Sequence, residues 1–219
     1  MPRANRITQA GVLHHVISRG NANQAIFRDL DDYKKYLSLL KEAAAAHPIA
    51  VYNYALLKST IHLLVEPLQD NALSKAMESV TREYAKYFNQ KYNSIGHVFA
   101  GRFKSFAIQP DQFFMACSRY IDLIPTKHEL VKEAKDYSFS GYAQLALGNP
   151  GDYPVDQHDL YKALGSTDAE RQLVYRTLVN QYLGVELDLE NRKSGILGSR
   201  EYKQLVKSGV NMRKAELRK

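Results

Sequence analysis

The sequence predicts an α+β sandwich, an antiparallel sheet with helices on one face, followed by a C-terminal helical extension. The order of apolar periodicities predicts it: strand, helix, two strands, helix, strand, then an added helix. Val12 to Ser18 is short, rich in Val and Ile, and followed by Arg19-Gly20-Asn21, so it reads as a strand leaving into a turn. Tyr33, Tyr36, Leu37, Leu40, Ala43 and Ala44 then recur at helical spacing, with Asp29, Asp31 and Asp32 available as caps. Ala50 to Leu57 and Ile61 to Val65, split by Lys58-Ser59-Thr60, suit two adjacent strands of a hairpin, closed by Pro67.

A long helix is predicted from Asn71 to Tyr92, because Leu73, Ala76, Met77, Val80, Tyr84, Tyr87 and Phe88 form one apolar stripe. Lys104 to Gln109 reads as a further strand, and Pro110-Asp111 starts a helix reaching Leu123 and stopped by Pro125. From Gly148 to Gln157 the chain is loop-like, which divides it into residues 1–147 and a helical, basic extension over 148–219. In that extension Thr167 and Glu170 form a capping-box pattern ahead of a helix to about Leu183, and Ser199 to Val206 is a shorter helical candidate.

The single cysteine, Cys117, excludes an intramolecular disulfide, and the opening residues lack a secretion signal's apolar core, so a cytoplasmic location is expected. No stretch is apolar enough for a membrane helix, and no membrane partner is expected. The net charge of +7 is concentrated at one end: residues 191–219 carry nine Lys or Arg against two Glu, while the remainder is formally neutral. A like-signed segment of this kind is the electrostatic footprint of a polyanion partner or a solvated tail. Lys75, Arg82 and Lys86 add a second basic line along the non-apolar side of the long helix.

Four pieces in fixed order carry a family likeness: His14-His15-Val16-Ile17-Ser18-Arg19-Gly20, Ile61-His62-Leu63-Leu64-Val65-Glu66-Pro67, Gly101-Arg102-Phe103-Lys104-Ser105, and Arg119-Tyr120-Ile121. On them the chain resembles the REP-associated tyrosine transposases of the single-tyrosine HUH group, firmly over residues 1–145 and loosely beyond. The resemblance implies a ferredoxin-like antiparallel sheet. It also implies a DNA strand transferase in which two histidines at i and i+2 of one strand hold Mg²⁺ or Mn²⁺. That ion polarises a phosphate while a helix-borne tyrosine attacks phosphorus. The nucleophile position falls on Tyr120 and the residual ligand on His62. Thr60 stands where the first histidine is expected, and Ile124 where relatives carry an amide ligand.

A neutral hydroxyl is a poor substitute for imidazole toward a transition metal, and Ile offers no lone pair. His14, His15, Glu66 and His97 are the remaining candidates to compensate; adjacent strand residues face opposite ways, so only one of His14 and His15 can reach any one site. The bland reading of Tyr120 is core packing, in a stripe with Phe113, Cys117 and Ile124.

Gly101-Arg102-Phe103-Lys104 combines a flexible residue, two cations and an aromatic, suited to a phosphate and an unstacked base. Arg19 and Arg119 complete the candidate DNA contacts with Lys75, Arg82, Lys86, Arg102, Phe103 and Lys104. The function expected is a transposase-derived protein that binds single-stranded or hairpin DNA, its cleavage lost and no cofactor held tightly. The alternatives are a working metal-dependent transposase and an RNA-binding module; such modules carry stacking aromatics on central strands, of which Thr60 to Val65 has none, whereas Tyr52 and Tyr54 speak for it. Monomer and homodimer both stay open.

Overall fold

The computed structural model describes residues 7, 9–181 and 195–208. The elements are β1 (Leu13–Arg19), α1 (Leu30–Ala46), β2 (Ile49–Leu57), β3 (Thr60–Pro67), α2 (Ala72–Tyr92), β4 (Lys104–Ile108), α3 (Gln112–Lys127), α4 (Tyr142–Leu147), α5 (Asp159–Lys162), α6 (Asp168–Asn180), β5 (Ile196–Leu197) and α7 (Arg200–Lys207). The sheet order is β2-β3-β1-β4-β5. The first four strands are antiparallel neighbours in the expected ferredoxin-like order, and β5 adds to β4 in parallel.

Alternation along the strands divides the core into two layers. Val16, Ile61, Leu63, Val65, Val51, Tyr54 and Leu56 pack under α1 and α2 with Leu40, Met77, Val80 and Tyr84. Leu13, Leu64, Ala55 and Ile108 face the other way and are covered by Phe114, Cys117, Ile121 and Ile124 of the added helix α3. Each such buried Leu or Ile contributes about 1.5–3 kcal/mol relative to remaining exposed. The apolar stripes read from the sequence therefore fix which face of each helix meets the sheet.

The pairing of β2 with β3 is interrupted once. Its register passes from Val51↔Val65 to Asn53↔Leu64, so Tyr52 is an extra residue. This bulge turns two consecutive side chains, Tyr52 and Asn53, toward α3. Tyr52 donates to Glu66 Oε2 at 2.7 Å, and Asn53 enters a buried polar network.

Helix ends follow the caps. Asp29 and Asp32 form a reciprocal capping box on α1, as Thr167 and Glu170 do on α6. Pro125 does not stop α3, contrary to the sequence-based expectation; the helix runs on to Lys127 with the proline inside it. The missing N–H falls in the last turn, where one bond at most is forfeited, and His128 N still reaches Ile124 O at 3.0 Å.

The loop over 148–157 leads into elements that pack back on the sheet and on α3. Asp156 N donates to Val51 O and Asp156 Oδ2 accepts from Val51 N, both at 2.8 Å. Tyr175 and Val179 of α6 share a buried cluster with Tyr142, Leu145 and Ala146. The two-residue β5, which periodicity does not predict, covers the β4 edge through Ala107 N→Gly195 O and Gln109 N→Leu197 O, each 2.8 Å.

Leu183 and the basic residues Arg192, Lys193, Arg213, Lys214, Arg218 and Lys219 lie outside the described residues. Among the described residues no helix is long and apolar enough to cross a membrane.

Removing the α6 cap with Thr167→Ala is expected to destabilise the fold by about 1 kcal/mol. Urea unfolding measures it, and an unchanged midpoint would mean that α6 is not held by its N-terminal box.

Candidate nucleic-acid interface

The β1 and β3 register sets the first part of the site. Ile17 stands opposite His62 and His15 opposite Leu64, so His15 and His62 are diagonal neighbours on the α3 face. Nε2 of His15 lies 3.1 Å from Nδ1 of His62, a distance at which one neutral ring donates to the other. Tyr120, half-buried on α3, stands edge-on to both rings, with centroids 5.9 Å from His15 and 6.4 Å from His62. The expected nucleophile position and residual ligand are thus brought together, and of the two adjacent histidines it is His15 that joins them.

His14 points to the opposite face, fully buried, with neither ring nitrogen hydrogen-bonded among the described residues. Burial removes water from all three rings and disfavours the imidazolium. His14 is lowered to about 4 and His15 to about 3. His62 is pushed well below the usual histidine range by burial first, then by the positive charges of His15, Arg19 and His128.

The donor set does not fit Mg²⁺ or Mn²⁺. Such ions take oxygen-rich, near-octahedral shells. Here Ile124 is buried in the apolar layer and Nδ1 of His62 is committed to His15. Among the described residues no group of three or more His, Cys, Asp or Glu could hold a metal ion. Glu66 accepts from Tyr52, and His97 lines a cleft on another part of the molecule, so neither completes the set.

Cations gather at the rim of this face. Arg19 and Thr60 pair at the exposed end of β1 and β3, and Lys104 stands opposite Ile17 at the start of β4. From α3, Lys127 Nζ sits 5.2 Å from the Tyr120 ring centroid. Arg19, Lys104, Lys127 and His128 are all exposed. Lys127 and His128 are missed by a reading of the sequence that ends the helix at Pro125.

Arg119 goes elsewhere: its Nε donates to Val179 O of α6 at 2.9 Å, which ties α3 to the extension. Beside it lies a buried network that the sequence does not signal. Asn53 Nδ2 donates to Asp122 Oδ1 at 2.9 Å, and Tyr175 OH to Asp122 Oδ2 at 2.6 Å. Ser118 Oγ lies 2.6 Å from the same hydroxyl. Burial raises the Asp122 carboxyl to about 7, against the two hydrogen bonds that favour its charge.

A second candidate surface is a cleft of about 840 Å³ between α2 and the 96–103 loop. Arg82, Arg102, Phe103, Thr81 and His97 line it over a floor that includes Met77 and Val98. Gly101 has φ 96°, a conformation that favours glycine and turns the chain beside Arg102. Arg102 is exposed, whereas Phe103 is half-buried against the α1/α2 layer. The basic line on α2 is partly compensated: Glu83 accepts from Arg82 at 3.0 Å and from Lys86 at 3.1 Å. Lys75 lines a smaller hollow with Glu78 and Arg82. Tyr52 and Tyr54 are buried on opposite faces, so neither offers the open stacking platform that an RNA-binding sheet requires.

The family described as "Transposase IS200 like" matches residues 8–123, more than half of the chain. A solved structure of a REP-associated tyrosine transposase bound to a REP hairpin is similar in fold, with a TM-score of 0.56. Its sequence identity is 22%, over 71% of this chain and 93% of that one. No curated protein matches.

The buried carboxyl and the buried imidazoles act on stability with opposite signs. Asp122 binds its proton more tightly folded than unfolded, so its contribution falls as pH rises from about 4 to about 7. The depressed histidines contribute fully above their unfolded value and lose that as pH drops toward about 4 and about 3. Asp122→Asn is therefore expected to gain stability relative to the parent protein as pH rises from about 4 to about 7. Urea melts at both ends of that window check it; a pH-independent difference would remove Asp122 as a titrating group.

Proposed function

We propose that this chain, which belongs to the IS200-like transposase family, binds single-stranded or hairpin DNA without cutting it. The observation that carries the reading is the donor set around Tyr120. A phenol can attack phosphorus only if the phosphate charge is neutralised and the departing oxygen stabilised, which in this chemistry falls to a metal ion. The residues beside Tyr120 are a histidine pair already bonded to each other, with Thr60 and Ile124 in the expected ligand positions. The face keeps its cations, its tyrosine and His62, while Thr60 and Ile124 stand at two of the expected ligand positions.

Binding draws on surfaces separate from that chemistry. Arg102 and Arg82 flank a cleft large enough for nucleotide-sized groups, Lys75 lines an adjoining hollow that shares Arg82, and Lys86 continues the basic line on α2. Arg19 and Lys104 supply cations at the open end of the sheet. Phosphate contacts of this kind position a nucleic acid without reading its sequence. The fold neighbour bound to a REP hairpin supports a folded single strand as the partner class. A working transferase is the second reading, because His15 brings another imidazole within 3.1 Å of His62.

The two readings part in a denaturing-gel assay with labelled hairpins and Mg²⁺ or Mn²⁺. The expected outcome is no covalent adduct from hairpins that bind, for the parent protein and Tyr120→Phe alike. A Tyr120-dependent adduct would establish the transferase instead. Separately, Arg102→Ala is expected to weaken hairpin binding by about tenfold and to lower the salt slope by about 1. Unchanged binding would remove the cleft from the interface.

A further inference from the structure

We infer that the cleft beside α2 takes one unpaired base of the bound strand and selects guanine, with Glu78 as the residue that sets the preference. The inference rests on the proposed DNA binding and specifies what the cleft reads.

The α2 side of the cleft consists of two parallel rows at four-residue spacing. Ser74, Glu78 and Arg82 form a polar row, and Met77, Thr81 and Ala85 a second row beside it. The second row is closed to hydrogen-bond donation, because Thr81 Oγ1 gives its proton to Met77 O at 2.7 Å. Buried Val98 and Phe99 line the other side, from the 96–103 loop. The cleft is therefore apolar along its floor and polar along one wall. An unstacked base has the same division, an apolar face and a hydrogen-bonding edge.

The polar row carries a charge that phosphate alone does not call for. Glu78 is exposed, and among the described residues it has no ion-pair partner, although it shares a hollow with Lys75 and Arg82. A carboxylate repels phosphate oxygens, so what it favours in a DNA-binding cleft is a base edge that carries donors. Guanine presents the best-matched edge, since its N1–H and N2–H point the same way and can reach the two oxygens of one carboxylate. Adenine and cytosine present a single amino group beside a ring-nitrogen lone pair, and thymine one N–H between two carbonyls. Each of these sets an acceptor against Glu78.

One turn further along α2, Arg82 is placed for guanine O6 and N7, the acceptor pair that a guanidinium reads bidentately. Arg82 donates to Glu83 through Nε at 3.0 Å, a bond that occupies one of its N–H groups. Arg102, exposed on the facing loop, stands across the cleft for the adjoining phosphate.

The test uses the full-length chain and fluorescein-labelled strands of abasic spacers that carry one central base, guanine, adenine, cytosine or thymine, read by anisotropy. The sugar-phosphate backbone is the same in every strand, so only the base differs. The expected result is guanine bound about tenfold more tightly than each of the others. With Glu78→Gln, which keeps the side chain's size and loses an acceptor, that preference is expected to fall to about twofold or less. A lost charge or a disturbed fold would shift all four strands together, whereas the ratio reports the pocket. Parent-like guanine preference in Glu78→Gln would overturn the inference. Equal binding of the four strands, or of none, by a parent protein that binds hairpins would overturn the inference alone. A parent protein that binds neither these strands nor a hairpin would overturn the inference and the DNA-binding reading together.

Discussion

Everything on the α3 face depends on the pairing of β1 with β3. His15 and His62 are remote in sequence and meet only because Ile17 stands opposite His62. Side chains alternate along a strand, so a slip of one residue would exchange His15 for His14 and turn Val16 away from α1 and α2. The register is held by the apolar layer itself, since Val16, Leu63 and Val65 cannot leave the core without exposing it. Packing on one side of the sheet thereby fixes polar geometry on the other.

On the proposed function, that geometry separates affinity for phosphate from chemistry on phosphate. Affinity requires positive potential at the surface, which Arg19, Lys104 and Lys127 supply from three elements. Chemistry requires a Lewis acid or donors held at the developing charge. Burial works against it here: it strips water from His15 and His62, leaves them neutral, and turns them toward each other. The cations stand on exposed strand and helix ends, outside the layer that burial controls.

The extension enters the same arrangement through α6. Tyr175 reaches Asp122, and Arg119 reaches Val179 O, so the residues on both sides of Tyr120 are tied to one helix from beyond the 148–157 loop. The bulge at Tyr52 completes the tie by aiming Asn53 at Asp122. A buried carboxyl is costly unless it is bonded, and β2 and α6 are both recruited to bond this one. The position of α3 is thus set from the sheet below and from α6 beside it.

Local pattern alone determined the element order from β1 to α3, the capping box of α6 and the faces of α1, α2 and α3, because periodicity and caps act within one or two turns. It also singled out Tyr120, His62, Thr60 and Ile124 through family likeness, since those positions lie within short contiguous pieces. Only tertiary structure decided that His15 rather than His14 meets His62, that Arg119 turns to α6, and that Lys127 stays on the helix and reaches Tyr120. It alone placed Asp122 in a network with Asn53, Ser118 and Tyr175. Strand register, a bulge and a helix from a distant segment are non-local pairings, and no residue's own neighbours in sequence specify them.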